Sequence, residues 1–138
     1  MASSSLVDTR TLGKPPTFNG RAEDWTMWAF KFESWASLLP PVGDDLTENE
    51  FTVEQALEWA TQQPDDLLTI NAMSANVATA SRNVYYMLAQ LLDGRAMAIL
   101  RRTPKGQGLM AWKRLKAEYE GADGARAVSL LMGLLQPS

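Results

Sequence analysis

Trp25, Trp28, Phe32, Trp35 and Leu39 recur at spacings of 3, 4, 3 and 4. At about 100° of rotation per residue, such a set falls within an arc of about 80°, one face of an α-helix. A strand would scatter the same residues over both of its faces. The spacing therefore predicts a helix over 22–39. Glu23 and Asp24 open it, where the helix dipole favours negative charge, and Pro40-Pro41 closes it. Four large aromatics on one face need a deep apolar interior to receive them. Met27, Phe30 and Leu38 lie on the other side. A helix apolar on two sides is either deeply buried or half of an interface, so these three are candidate interface residues. Aromatic stripes also stack nucleic-acid bases, but such platforms need interleaved cations, and this segment offers only Lys31.

The rest of the chain reads as helical too. Residues 1–20 form an extended arm: Ser3 to Ser5 are small and polar, Pro15-Pro16 forbids helix, and Asn19-Gly20 is a turn signal. Phe18 is placed to anchor the arm on the core. Residues 40–52 are an acidic turn-rich loop without the order of a calcium-binding hand. Thr52-Val53-Glu54-Gln55 is a capping box that opens a helix to about Gln62, with Val53, Leu57 and Ala60 inward, and Pro64 breaks it. From Asp65 a helical pattern continues to Leu92, as one helix or two pieces. Leu67, Ile70, Met73, Val77, Ala80, Val84, Met87 and Leu91 run along it, with Leu88 in the core. Asp93-Gly94 reads as its stop. A short helix Ala96–Arg102 buries Ala96, Ile99 and Leu100. After a loop of Pro104, Gly106 and Gly108, a helix Leu109–Tyr119 puts Trp112, Leu115 and Tyr119 on one face. The last helix, about 122–135, is apolar around most of its circumference; Leu131, Leu134 and Leu135 are further candidate interface residues. No period-2 run is long enough for a strand. The expected fold is all-α: a bundle of about five to six helices behind an extended arm.

The composition removes much chemistry. The chain of 138 residues has no cysteine and no histidine. Disulfides, thiolate sites, Cys nucleophiles, the commonest metal ligand and the usual general base are all missing. No Ser-x-x-Lys and no Gly-rich phosphate loop replaces them. No catalytic, metal-binding or cofactor-binding residue is expected, and no enzyme. No apolar run reaches the roughly 18 residues a membrane span needs, and the start lacks the pattern of a signal peptide, so an intracellular, cytoplasmic protein without membrane contact is expected.

Charge is unevenly placed within a net −3. Residues 1–94 hold five basic and thirteen acidic side chains, and residues 95–138 hold eight and three. Either the ends of different copies attract head to tail, or these are ordinary solvated faces. Arg101, Arg102, Lys105, Lys113, Arg114 and Lys116 form a basic cluster, with phosphate contact to RNA or a solvated face as its two readings.

The order of motifs carries a resemblance. Phe18-Asn19-Gly20 followed by Trp25, Trp28 and Phe32 resembles the opening of retrotransposon Gag domains, F-x-G and then W-x-x-W-x-x-x-F. Leu91-Leu92-Asp93-Gly94-Arg95-Ala96 looks like their L-x-G-x-A segment. Ala111-Trp112, Leu115, Tyr119 and Gly121 are similar to the A-W-x-x-L-x-x-x-Y-x-G run of copia-type Gag, and Leu130, Leu131 and Leu134 resemble its leucine-rich helix. Gypsy-type Gag proteins, and the capsid-like neuronal protein derived from them, share this order. The likeness touches about residues 16–135 and transfers no catalytic residue. It implies the N-terminal lobe of a capsid, self-associating weakly in isolation into a shell around RNA that is bound mainly through other regions.

Two departures stand out. Residues 40–75 look like an insertion, and no zinc knuckle is present. Residues 21–121 are the expected capsid-like domain, and 122–138 are either its end or the start of a second lobe. Two other functions fit the same residues: a helical protein- or peptide-binding module from a domesticated Gag, with a groove beside the first helix that the arm fills in cis, and a weak RNA-binding domain using the basic C-terminal third.

Overall fold

The structure, a computed structural model, describes residues 14–41 and 52–120. Throughout these residues the secondary structure is helical, with no sheet. Five α-helices follow in order: α1 Trp25–Ser37, α2 Val53–Thr61, α3 Ala75–Leu91, α4 Gly94–Arg101, and α5 over 108–120. α1 packs on α2, α2 on α3, and α3 on α4. The expected 122–135 helix, with Leu131, Leu134 and Leu135, lies outside the described residues, as do residues 1–13 of the arm.

The aromatic stripe of α1 is the centre of the core. Trp25 and Phe32 are wholly buried, and Trp28 and Trp35 nearly so. Trp112 of α5 meets Phe32 and Trp25 with ring centroids 5.0 and 5.5 Å apart. Tyr119, two turns further along α5, stacks on Trp25 at 5.3 Å. The indole N–H groups are satisfied at the edge of this cluster: Trp28 donates to the Pro16 carbonyl at 2.6 Å and Trp25 to a Glu120 carboxylate oxygen at 3.0 Å. Buried indoles need such partners.

The anchoring role expected for Phe18 is observed. Its ring lies 5.2 Å from Trp28 and 5.1 Å from Tyr119. Its backbone forms a parallel bridge to Leu92: the Phe18 N–H donates to the Leu91 carbonyl and the Asp93 N–H to the Phe18 carbonyl, both at 2.8 Å. The helix stops ahead of Asp93-Gly94 as expected, but the next one opens at Gly94 and not at Ala96. α3 ends at Leu91, Leu92 is extended to pair with Phe18, and α4 starts at once at Gly94. Gly94 has φ +56°, and a Cβ there would lie 2.5 Å from the Asn19 carbonyl oxygen. Only glycine lets the arm pass this close to the helix start.

Three further expectations need correction. The pattern from Asp65 is neither one helix nor two: single 3-10 turns at Asp65–Leu68 and Ile70–Ala72 precede α3. Three residues per turn, with extended Thr69 and Met73 between, shift the phase. Leu68 is therefore buried and Leu67 exposed, while Ile70, Met73, Val77 and Met87 are half-buried. Ile99 is half-buried rather than core. In the eight-residue α4, Ala96 and Leu100 face inward, and Ile99 is turned about 100° away from Leu100. Gly108 belongs to α5 rather than to the loop. A Cβ at Gly108 would sit 2.1 Å from the Tyr85 nitrogen and 2.4 Å from the Ser81 carbonyl oxygen. α5 therefore starts in backbone contact with α3, where the buried Ser81 hydroxyl accepts from the Leu109 N–H at 3.2 Å. The capping box is present as expected: Thr52 Oγ1 accepts from the Gln55 N–H, and Gln55 Oε1 from the Thr52 N–H.

Candidate interaction surfaces

The buried polar side chains among the described residues, Ser81, Thr103 and Gln107, tie loops and helix ends together rather than forming a reactive constellation. Among the described residues no group of three or more carboxylates is placed to hold a metal ion, and no helix is long and apolar enough to cross a membrane. Three regions of the surface carry the candidate residues.

The first is the outer side of α1. Met27, Phe30 and Leu38 are 61, 67 and 58 % exposed, which makes them three of the five most exposed large apolar side chains described. With Ser34 between them they run at spacings of 3, 4 and 4 and form one stripe along the helix. Their neighbourhood is acidic. Phe30 shares a shallow depression with Glu33 and Glu120. Burial pushes the Glu33 carboxyl above the ordinary carboxylate range. Lys116 opposes this, and Glu120, Glu54 and Glu58 add to it. Lys116 itself pairs with Glu120 at 3.4 Å. Four carboxylates from α1, α2 and α5 thus share this flank. Sequence reading had no means of grouping them, because they come from three separate segments.

The second region is the basic cluster, which the fold divides. Lys113 is held by the Gln63 carbonyl and the Asp65 carboxylate, both at 2.7 Å, and that hydrogen bond draws the Asp65 carboxyl below the usual range. Lys116 belongs to the acidic flank. Arg114 turns the other way, donating to the Thr103 hydroxyl at 3.3 Å and the Arg102 carbonyl at 3.5 Å, at the C-terminal end of α4. There it joins Arg101, Arg102 and Lys105, which are exposed. Arg82 of α3 comes in beside Gly106. Ile99 and Ala117 line one depression together with Arg102, Arg114 and Glu118. Lys113, Lys116 and Glu120 therefore mark one flank of α5, and Arg114 and Glu118 the other.

The third region is a groove of about 790 Å³ beside the C-terminal half of α1, lined by Trp35, Leu39, Pro40, Val53, Tyr86 and Met87. Lys14, the first described residue of the arm, also lines it. Tyr86 is 48 % exposed and was not singled out in the sequence; its neighbour Tyr85, against which its ring packs at 5.4 Å, is half-buried.

No family model, curated protein or solved structure matches this chain.

Proposed function

We propose that this chain is a non-catalytic structural domain that self-associates, in the manner of the capsid-forming part of a retrotransposon Gag protein, into a shell around RNA. The observation that carries the reading is the outer stripe of α1. Its inner side holds the aromatic centre of the core, yet Met27, Phe30 and Leu38 on the outer side stay more than half exposed. Met27 and Phe30 are neighbours one turn apart, Leu38 continues their line past Ser34, and exposed apolar surface aligned in this way marks a contact. The core adds support: Phe18, Trp25, Trp28, Phe32, Trp112 and Tyr119, whose order along the chain carries the resemblance to Gag, converge in one cluster. Three apolar side chains fall short of the roughly 800 Å² per partner of a stable interface, so the contact is weak and assembly needs high concentration. Sedimentation and light scattering across a wide concentration range test this. Growth of species larger than the monomer is expected. A strict monomer at the highest attainable concentration, with no particles in electron micrographs, would rule the reading out.

A further inference from the structure

The acid-flanked stripe of α1 and the basic end of α4 carry opposite charge and lie along opposite flanks of α5. We propose that they are the two halves of one contact between copies, in which the Phe30 stripe of one chain seats against the basic end of α4 of the next, head to tail. This rests on the assembly reading above and adds which surfaces meet and with what symmetry.

Charge decides between the alternatives. A two-fold contact of the stripe with itself would bring two sets of Glu33, Glu54, Glu58 and Glu120 together. A two-fold contact of the basic end would oppose two sets of Arg101, Arg102 and Lys105. Like-charge juxtaposition at a closed interface is unfavourable. The mixed contact places each carboxylate set, with Glu120 already paired to Lys116, against Arg101, Arg102 and Lys105, and Phe30 against Ile99 and Ala117, where Glu118 is the one carboxylate beside them. Arg101 and Lys105 have no hydrogen-bond or ion-pair partner among the described residues and are free to take part. A contact between two different patches leaves one of each unused on every copy. It therefore propagates into rings or open arrays, as a shell requires, instead of stopping at a dimer.

The test is a mixing experiment on the full chain, read by sedimentation velocity. Phe30→Asp disables the stripe, and Arg101→Glu with Lys105→Glu disables the basic end. All three side chains are exposed, and circular dichroism checks that both variants fold; Phe30→Ser and Arg101→Gln with Lys105→Gln are the milder replacements. Wild type is expected to form open-ended oligomers that weaken about tenfold or more between about 50 and 500 mM salt, as the Debye length shrinks. Each variant alone is expected to be monomeric. An equimolar mixture is expected to form dimers and nothing larger, because one variant keeps a working end and the other a working stripe. Monomers in the mixture, with association in wild type, overturn the head-to-tail contact and leave the assembly reading standing. A monomeric wild type at low salt removes both. If Arg101→Glu with Lys105→Glu leaves assembly intact but abolishes binding of a single-stranded RNA oligonucleotide, the basic end is a nucleic-acid surface and the inference is overturned.

Discussion

The two sides of α1 are both apolar and meet opposite fates. On the inner side Trp25, Trp28, Phe32 and Trp35 are at most 7 % exposed; on the outer side Met27, Phe30 and Leu38 are at least 58 % exposed. Hydrophobicity alone does not separate them. What separates them is company: the inner side meets Phe18 from the arm and Trp112 and Tyr119 from α5, large rings that can surround an indole on several faces. The outer side meets solvent and a set of carboxylates. A two-sided apolar helix therefore states that two surfaces are to be covered, and the residues elsewhere in the chain decide which is covered from within.

Removing an inner ring should have the largest effect. Trp25→Ala deletes a fully buried indole that touches Phe18, Trp28, Trp112 and Tyr119, and leaves Glu120 with Lys116 but without the indole N–H. A loss of about 3–5 kcal/mol is expected from cavity formation and lost transfer energy, measured by urea unfolding. Against a total stability of roughly 5–15 kcal/mol this removes much of the margin. A loss below about 1 kcal/mol would show that the inner side is not the centre of the core.

Gly108→Ala approaches the same interior from α5. The added methyl would fall on the backbone of Tyr85 and Ser81, which cannot rotate away as a side chain tip can. Overpacking of this kind costs about 1–3 kcal/mol and should move α5, and Trp112 with it, away from α1. Unfolding curves and the fluorescence of the buried tryptophans would both register it. An unchanged spectrum and stability would mean that α3 and α5 do not approach so closely.

The inner side was legible in the sequence because its signal is local and repeats: five residues at helical spacing, punctuated by acidic and proline ends. Trp112, Leu115 and Tyr119 were legible as core for the same reason, and Phe18 as the one large apolar residue close to the Asn19-Gly20 turn. Reading failed where the phase was reset. The two 3-10 turns between Asp65 and Ala72 exchanged Leu67 for Leu68, and beside the Phe18–Leu92 bridge the expected stop at Asp93-Gly94 is also the start of the next helix, two residues ahead of Ala96. The surfaces were least legible. The six cations close in sequence separate in space because Lys113 and Arg114 are neighbours on a helix and point to different flanks. The acidic flank is gathered from segments up to 87 positions apart, Glu33 to Glu120, with nothing in sequence to link them.

On the outer side the expected effect on stability is close to nothing. Phe30→Ser removes a ring that is 67 % exposed, and the change should fall within about 0.5 kcal/mol in urea unfolding. Self-association is where it should act, weakening at the same concentration. A loss of stability as large as that of Trp25→Ala would mean that both sides of α1 are core, and would remove the stripe as a contact surface.

Glu33 stands at the boundary between the two sides and gives the subtlest measure of it. Burial is the main cause of its raised carboxyl, with Glu120 on α5 and Glu54 and Glu58 on α2 adding to it and Lys116 on α5 opposing. The folded chain therefore binds this proton more tightly than the unfolded chain does. The folded state bears the full cost of the charge above the raised value and sheds it as pH falls through that value toward the ordinary 4.5. Glu33→Gln carries no such charge. The variant should be the more stable of the two at neutral pH, and the difference should close on acidification and vanish below the ordinary carboxylate range. Subtracting the two unfolding free energies at each pH reads what the Glu33 charge costs the folded chain. A variant less stable than wild type at neutral pH would show that the attraction to Lys116 outweighs burial. Glu33 would then belong to the solvated outer side of α1, and the edge of the core would lie one residue further in, at Phe32.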